Sequence, residues 1–272
     1  MSALRTAASH LYQNLLMPDR QPEYGDLLRS IAAEGYVFST VEAFASKVLA
    51  GAVPHEPTCV LRIDIDSHPA GAARMFDMAA AEGVHGTYYF RLSTLDRSLA
   101  QGIRAQGSEV GYHFEELATR AKRQGLRSAE EIEPWVPAMR DDFRRNLALF
   151  RDAVGAFPRT IASHGDFFNR RSGIDNSRII DRPLMDEFGI LAESGEQWLT
   201  RAVTIRISDQ PAPRWWYPHP PIEALARSPR ILSILMHPRQ WVRAPLHNTA
   251  LDLQRGVEEG LYFCRRLARR SA

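Results

Sequence analysis

Short apolar runs rich in β-branched residues alternate along this chain with longer stretches of helical periodicity. The clearest run is Val60-Leu61-Arg62-Ile63-Asp64-Ile65-Asp66-Ser67-His68-Pro69, which starts as a buried strand should and ends in a Pro-marked loop. Before it, residues 23–50 read as helical. Tyr24, Leu27, Leu28 and Ile31 recur at helical spacing, Gly35 breaks the pattern, and Ser39-Thr40 caps a second helix running to about Leu49. No strand of useful length is expected before residue 58. After Pro69 an Ala- and Met-rich stretch predicts a helix over 70–82, stopped at Gly83. The β-rich run Gly86-Thr87-Tyr88-Tyr89-Phe90 follows, then a helix over about 95–105, then Glu109-Val110-Gly111-Tyr112-His113 as a strand into a loop. A long amphipathic stretch over about 129–154 leads to Thr160-Ile161-Ala162-Ser163-His164-Gly165. Residues 165–182 are polar and read as a long surface loop, and residues 183–210 as a short helix with β-like segments. A segment with five prolines, 211–221, carries Trp215, Trp216 and Tyr217. The last strand is expected over 231–236, running into His237-Pro238, and a helix over about 247–269 closes the chain. Strand and helix therefore alternate, which predicts an α/β protein with a parallel sheet and helices outside it, open or closed into a barrel.

Side chains of a strand alternate faces, so Asp64 and Asp66 share one face while Ile63 and Ile65 take the other. Two carboxylates about 7 Å apart on one face repel, and desolvating them is costly unless a cation sits beside them. In parallel α/β folds, functional side chains gather at the carboxyl ends of strands. Four polar stations fall there: the Asp64/Asp66 pair, His113, His164 and His237. One carboxylate and two imidazoles with an open position describe a catalytic zinc or iron site. A second carboxylate can act as general base and a further histidine can protonate a leaving group, which completes a kit for hydrolysing an amide or ester.

Composition narrows the class. At 272 residues the chain is long enough for one large α/β domain. A net charge of +2 is too small to argue for nucleic acid or an anionic membrane as partner. No apolar run reaches the roughly 18 residues of a membrane span, and residues 1–20 lack the apolar core of a signal peptide. Cys59 and Cys264 form no paired motif, so a disulfide framework is not expected and a cytoplasmic location is.

The order of these motifs resembles the NodB-like polysaccharide deacetylases, carbohydrate esterase family 4, over about residues 58–242. The resemblance rests on the strand ending in two aspartates, the aromatic strand Gly86 to Phe90, the segment Gly107-Ser108-Glu109-Val110-Gly111-Tyr112-His113, and the strand ending Leu235-Met236-His237. It implies a distorted (β/α)7 barrel with a divalent metal, commonly zinc, with iron, cobalt or manganese as alternatives. By that resemblance Asp64 is the base, Asp66 and His113 are metal ligands, and His237 is the general acid. Three departures stand out: the aspartates are spaced Asp-Ile-Asp, Leu117 occupies the family's second histidine position, and Ser163-His164-Gly165-Asp166 replaces the third motif. The set Arg62 to Asp66, Gly111 to His113, His164-Gly165 and His237 to Trp241 is similar to a divergent, WbmS-type branch associated with surface-polysaccharide (O-antigen) loci. His164 is inferred to supply the ligand missing at Leu117, with Glu115 or Glu116 as alternatives.

Arg62, Asn169, Arg170, Trp215 and Trp241 are the candidate substrate-binding residues, Arg for bidentate contact with an anionic group and Trp for stacking on sugar rings. Residues 1–57 are expected to pack as a helical segment on a barrel of residues 58–272, forming one domain with it. The expected function is metal-dependent removal of an acetyl or similar acyl group from a sugar, with a nucleotide- or lipid-linked precursor in the cytoplasm as the expected substrate. Two rivals remain: a non-catalytic sugar-binding relative with a decayed site, and a glycosyltransferase, whose Asp-x-Asp motif also binds metal.

Overall fold

In the computed structural model, which describes residues 11–270, nine strands build one sheet. They are β1 (Val37–Ser39), β2 (Thr58–Ile65), β3 (Thr87–Phe90), β4 (Glu109–Phe114), β5 (Thr160–Ser163), β6 (Ala192–Glu193), β7 (Ile205–Asp209), β8 (Trp216–Tyr217) and β9 (Ile231–Met236). Their order is β6-β5-β4-β3-β2-β9-β7-β8, with β1 paired to the start of β2, and every pairing is parallel except β7 with β8. Strand β2 is the hub. All its residues are buried except Arg62, as a central parallel strand covered on both faces requires.

Alternation along β2 sorts two cores. Leu61, Ile63 and Ile65 face outward onto Ala72, Met75, Phe76 and Ala79 of the helix Pro69–Ala81 and join the large outer core. Val60 faces inward with Val41, Phe44, Tyr89, Ala162 and Ala192. The long helix Val136–Val154 buries Met139, Phe143, Leu147, Phe150 and Val154, a stripe at helical spacing laid against the outside of the sheet. Each such fully buried side chain contributes about 1.5–3 kcal/mol.

The sheet curls strongly. Nη1 of Arg62 on β2 donates to Oγ of Ser194, just past β6, at 2.8 Å. Four strand spacings separate β2 from β6, about 19 Å in a flat sheet. Only a half-barrel brings those residues into contact. Among the described residues β6 and β8 remain the sheet's ends, so the pairing supports a curled half-barrel of parallel strands and does not by itself establish the closed seven-strand count expected from the sequence.

Two local expectations are corrected. A strand does precede residue 58: Val37–Ser39 lies between the helices Gln21–Ala33 and Val41–Leu49 and pairs with the start of β2. The region expected as a loop over 165–182 contains the helix Phe167–Ser172 and a 3-10 turn, Asn176–Ile179. Asp166 opens that helix with a capping box, accepting from the Phe168 and Asn169 amides while Asn169 caps the Asp166 amide, and Gly173 ends it in a left-handed conformation. The first ten residues of the expected N-terminal segment lie outside the described residues. No described helix is long and apolar enough to cross a membrane.

Gly111 shows how tightly the interior is filled. A Cβ there would stand 2.3–2.4 Å from the Tyr89 ring and 2.9 Å from the Thr160 carbonyl oxygen. Gly111→Ala is therefore expected to cost about 3 kcal/mol, at the upper end of ordinary overpacking, read as a fall in the denaturant midpoint. A change of under about 0.5 kcal/mol, the scale of a neutral surface substitution, would show that Tyr89 can move aside.

Candidate metal centre

The curled sheet gathers side chains from the carboxyl ends of neighbouring strands. Asp66 lies one residue beyond β2, His113 near the end of β4, and His164 one residue beyond β5. Oδ1 of Asp66 stands 3.1 Å from Nε2 of His113 and 3.0 Å from Nδ1 of His164, and the two nitrogens are 3.3 Å apart. Ligands held about 2.0–2.1 Å from a tetrahedral metal stand about 3.3–3.4 Å from one another. The three atoms thus mark one face of such a coordination shell and leave its fourth position open.

Their surroundings fit that reading. Oδ1 of Asp66 is buried and makes no aligned hydrogen bond, despite the two nearby nitrogens. A buried carboxylate oxygen without a donor is costly, and a cation at the convergence point removes the cost. His113 is 2 % exposed, and its Nδ1 lies 2.9 Å from the Ala162 carbonyl oxygen, the contact that orients a ligating imidazole with Nε2 forward. The buried Asn176 amide group holds the His164 carbonyl and accepts from the Ala118 amide at 2.9 Å, fixing the segment that presents His164. Burial opposes ionisation of Asp66, but His164 and His113 outweigh it and hold its carboxyl well below the usual range.

Asp64 stands apart from this trio. Both its oxygens accept from Arg62, each at 2.7 Å, and Oδ2 lies 3.5 Å from Nε2 of His113. Burial works against its charge, yet Arg62 prevails and keeps the carboxyl below its ordinary value. On the other side of β2, Ile63 pairs with Met236, which places His237 beside Asp64. Nδ1 of His237 contacts Oδ1 of Asp209 at 2.7 Å, the His237 amide donates to Oδ2 at 2.7 Å, and Nε1 of Trp241 donates to the same oxygen at 2.9 Å. Burial pulls the His237 imidazole toward neutrality, but Asp209, with Asp66 and Asp64 behind it, pushes its pKa up to about 10.

The structure brings Asp64, Asp66, His113, His164 and His237 onto one rim, and it separates most of the expected substrate contacts from it. Glu115 chelates Arg91, and Glu116 accepts from Tyr112 and Asn146, so neither stands in for the ligand absent at Leu117, itself packed in the core. Arg62 is committed to Asp64 and Ser194 and lies over the Tyr89 ring. Asn169 closes its own helix cap and donates to the Ile174 carbonyl, so its polar atoms are used locally. Arg170 is exposed and reaches the Gly165 carbonyl. Trp215 is covered by the Arg20 guanidinium at 4.2 Å. Trp241 is 1 % exposed between Tyr24 and Trp216, which rules it out as an open sugar platform. His68 caps the next helix by accepting from the Gly71 amide. Sequence reasoning missed Asp209, whose only signal was its place at the end of the β-like run Ile205-Arg206-Ile207-Ser208, and Arg91, which holds the Asp66 carbonyl at 2.9 Å.

No family model and no curated protein matches the chain. Among solved structures it is similar to a mutant of BA3943, described as a CE4 family pseudoenzyme, with a TM-score of 0.42 and 15 % identity over 76 % of this chain and 64 % of that one. Wild-type BA3943 from Bacillus anthracis gives 0.40 and 14 % over 76 % and 62 %, and IcaB from Ammonifex degensii gives 0.42 and 13 % over 65 % and 78 %. The chain thus spans less than two thirds of the length of the two BA3943 structures.

Proposed function

We propose that this protein is a metal-dependent hydrolase that removes an acetyl or similar acyl group from a sugar, at an amide or ester bond. The observation that carries the proposal is the convergence of Asp66, His113 and His164 on one point with the spacing of a metal shell. The donor set of one carboxylate and two imidazoles suits zinc, with iron, cobalt and manganese as alternatives. Bound there, such a cation would polarise the acyl carbonyl and acidify water.

The chain's own residues divide the remaining work. Asp64, kept ionised by Arg62, is in the protonation state a base needs. His237 keeps Nδ1 engaged with Asp209, so Nε2 is the nitrogen available to hand a proton to the leaving nitrogen or oxygen. Arg62 positions the base. The resemblance drawn from the sequence motivates the finer assignment: a WbmS-type role in surface-polysaccharide synthesis, in the cytoplasm, on a nucleotide- or lipid-linked sugar, with the N-terminal helices and the half-barrel working as one domain.

Asp64→Asn separates base from ligand. The variant is expected to keep its metal, measured by mass spectrometry after dialysis, while acyl release from N-acetylated sugars falls by about 10²–10⁴. Loss of metal in Asp64→Asn would make Asp64 a ligand instead. Full metal occupancy with no turnover in the wild type, on amides and esters alike, would replace the hydrolase by a sugar-binding protein.

A further inference from the structure

Barrel interiors are ordinarily filled by bulky branched side chains. Here several inward positions carry serine, and a cavity of about 400 Å³ remains inside the half-barrel, within the range of small-molecule sites. Register places it. Paired residues of a parallel sheet face the same side, so Arg62, Leu235 and Ser208 form one rung across β2, β9 and β7, and Val60, Ser233 and Arg206 form the rung below. All six line the cavity. The rung above, one residue past the paired Ile63 and Met236, carries Asp64 and His237. The cavity thus lies one rung below the candidate site, with Arg62 and Leu235 between its lower part and the Asp64/His237 rung.

Its chemistry is graded. The walls are apolar, with Phe44 and Leu199 among them. Among the described residues Arg206, on the lower rung, makes no hydrogen bond and no close ion pair, with the Glu193 carboxylate acting on it from a distance, whereas Arg62 above it is engaged by Asp64 and Ser194. Arg206 is solvent-accessible, so the cavity meets water on that side. Two rungs span about 13 Å. An acetyl group reacting beside Asp64 would leave this space empty and this guanidinium unused.

We infer that the cavity receives the acyl group of the substrate, and that this group is a chain longer than acetyl ending in a carboxylate that Arg206 binds. The inference rests on the hydrolase reading for the word acyl, and on the cavity alone for the ligand class, an apolar chain with a terminal carboxylate. The reaction is hydrolysis of a dicarboxylic half-amide or half-ester. Water oxygen joins the acyl carbon, the bond to the sugar nitrogen or oxygen breaks, that atom takes a proton, and a dicarboxylate leaves.

Calorimetric titration with glutarate in the His164→Ala background, where a carboxylate cannot gain from an intact metal shell, tests the site without turnover. Glutarate is expected to bind at least about tenfold more tightly than glutaramide, an advantage a single charge-assisted contact supplies, and Arg206→Met is expected to abolish that preference while Arg206→Lys keeps part of it. Equal binding of glutarate and glutaramide, or a preference unchanged in Arg206→Met, overturns the proposal. With metal-loaded wild type, N-glutaryl-glucosamine is expected to exceed N-acetyl-glucosamine in kcat/KM, the preference collapsing in Arg206→Met. Preferred release of acetate sinks the inference and leaves the hydrolase reading standing. Charge-selective binding without hydrolysis of either sugar sinks the hydrolase reading and leaves the site.

Discussion

Dialysed His164→Ala protein is expected to lose its metal, with affinity lowered more than about 100-fold, because even outer partners of metal ligands are worth roughly 10–100-fold. The three donor atoms proposed to hold the cation lie within 4.8 Å of one another, and only two of them remain in the variant. Glu115 cannot replace the lost donor without abandoning Arg91, nor can Glu116 without unpairing Tyr112 and Asn146 inside the protein. Turnover should fall with occupancy and return in part at high metal concentration. Metal content by mass spectrometry, beside wild type treated identically, decides the matter; stoichiometric metal in His164→Ala would remove it from the ligand set.

The second large effect belongs to Asp209. Asparagine at this position keeps the size of the side chain and an acceptor for Trp241 but removes the charge nearest His237. With burial then unopposed by its closest anion, the His237 pKa should drop from about 10 to about 6.5 or below. At pH 7.5 the imidazole would be mostly neutral, and kcat should fall by about 10²–10⁴, the usual worth of a positioned acid. Titration of the His237 ring by NMR gives the first number and steady-state kinetics the second, with metal content unchanged as the control. Stability carries a matching signature. The folded-state pKa is raised, so the stabilisation from His237 is complete below its unfolded value, near 6.5, and fades as pH climbs toward about 10. Asp209→Asn should flatten that decline. If the ring titrates near 10 in the variant as well, Asp66 and Asp64 rather than Asp209 hold its proton.

What could be read from sequence follows from how each residue signals its role. Strands β2, β3 and β9 announce themselves because both their faces are largely buried, leaving largely apolar runs, and β4 by the alternation of Val110, Tyr112 and Phe114 with Glu109, Gly111 and His113. Two-residue β6 has no such run and is defined only by its partner β5. The helix after Asp166 was hidden by polar composition, although its capping pair, Asp166 and Asn169, sits at the telltale spacing. Metal-ligand candidates were legible as polar residues at strand ends. Asp209 was not, since a lone acid closing a half-exposed strand looks solvated, and only the pairing of β7 with β9 brings it under His237. Trp241 misled for the opposite reason: an indole suits a sugar face and a core equally well by type, and only its burial decides.

The three candidate ligands are spread from residue 66 to residue 164, at the carboxyl ends of β2, β4 and β5, with β3 between the first two strands. A growing or partly folded chain therefore holds two of them at most until β5 docks against β4. A cation held by all three would favour the finished sheet over incomplete forms, and its binding, worth about 4 kcal/mol at a concentration 1,000 times Kd, would accrue to the native state. The metal would act as a latch on assembly, closing late and across nearly a hundred residues of chain.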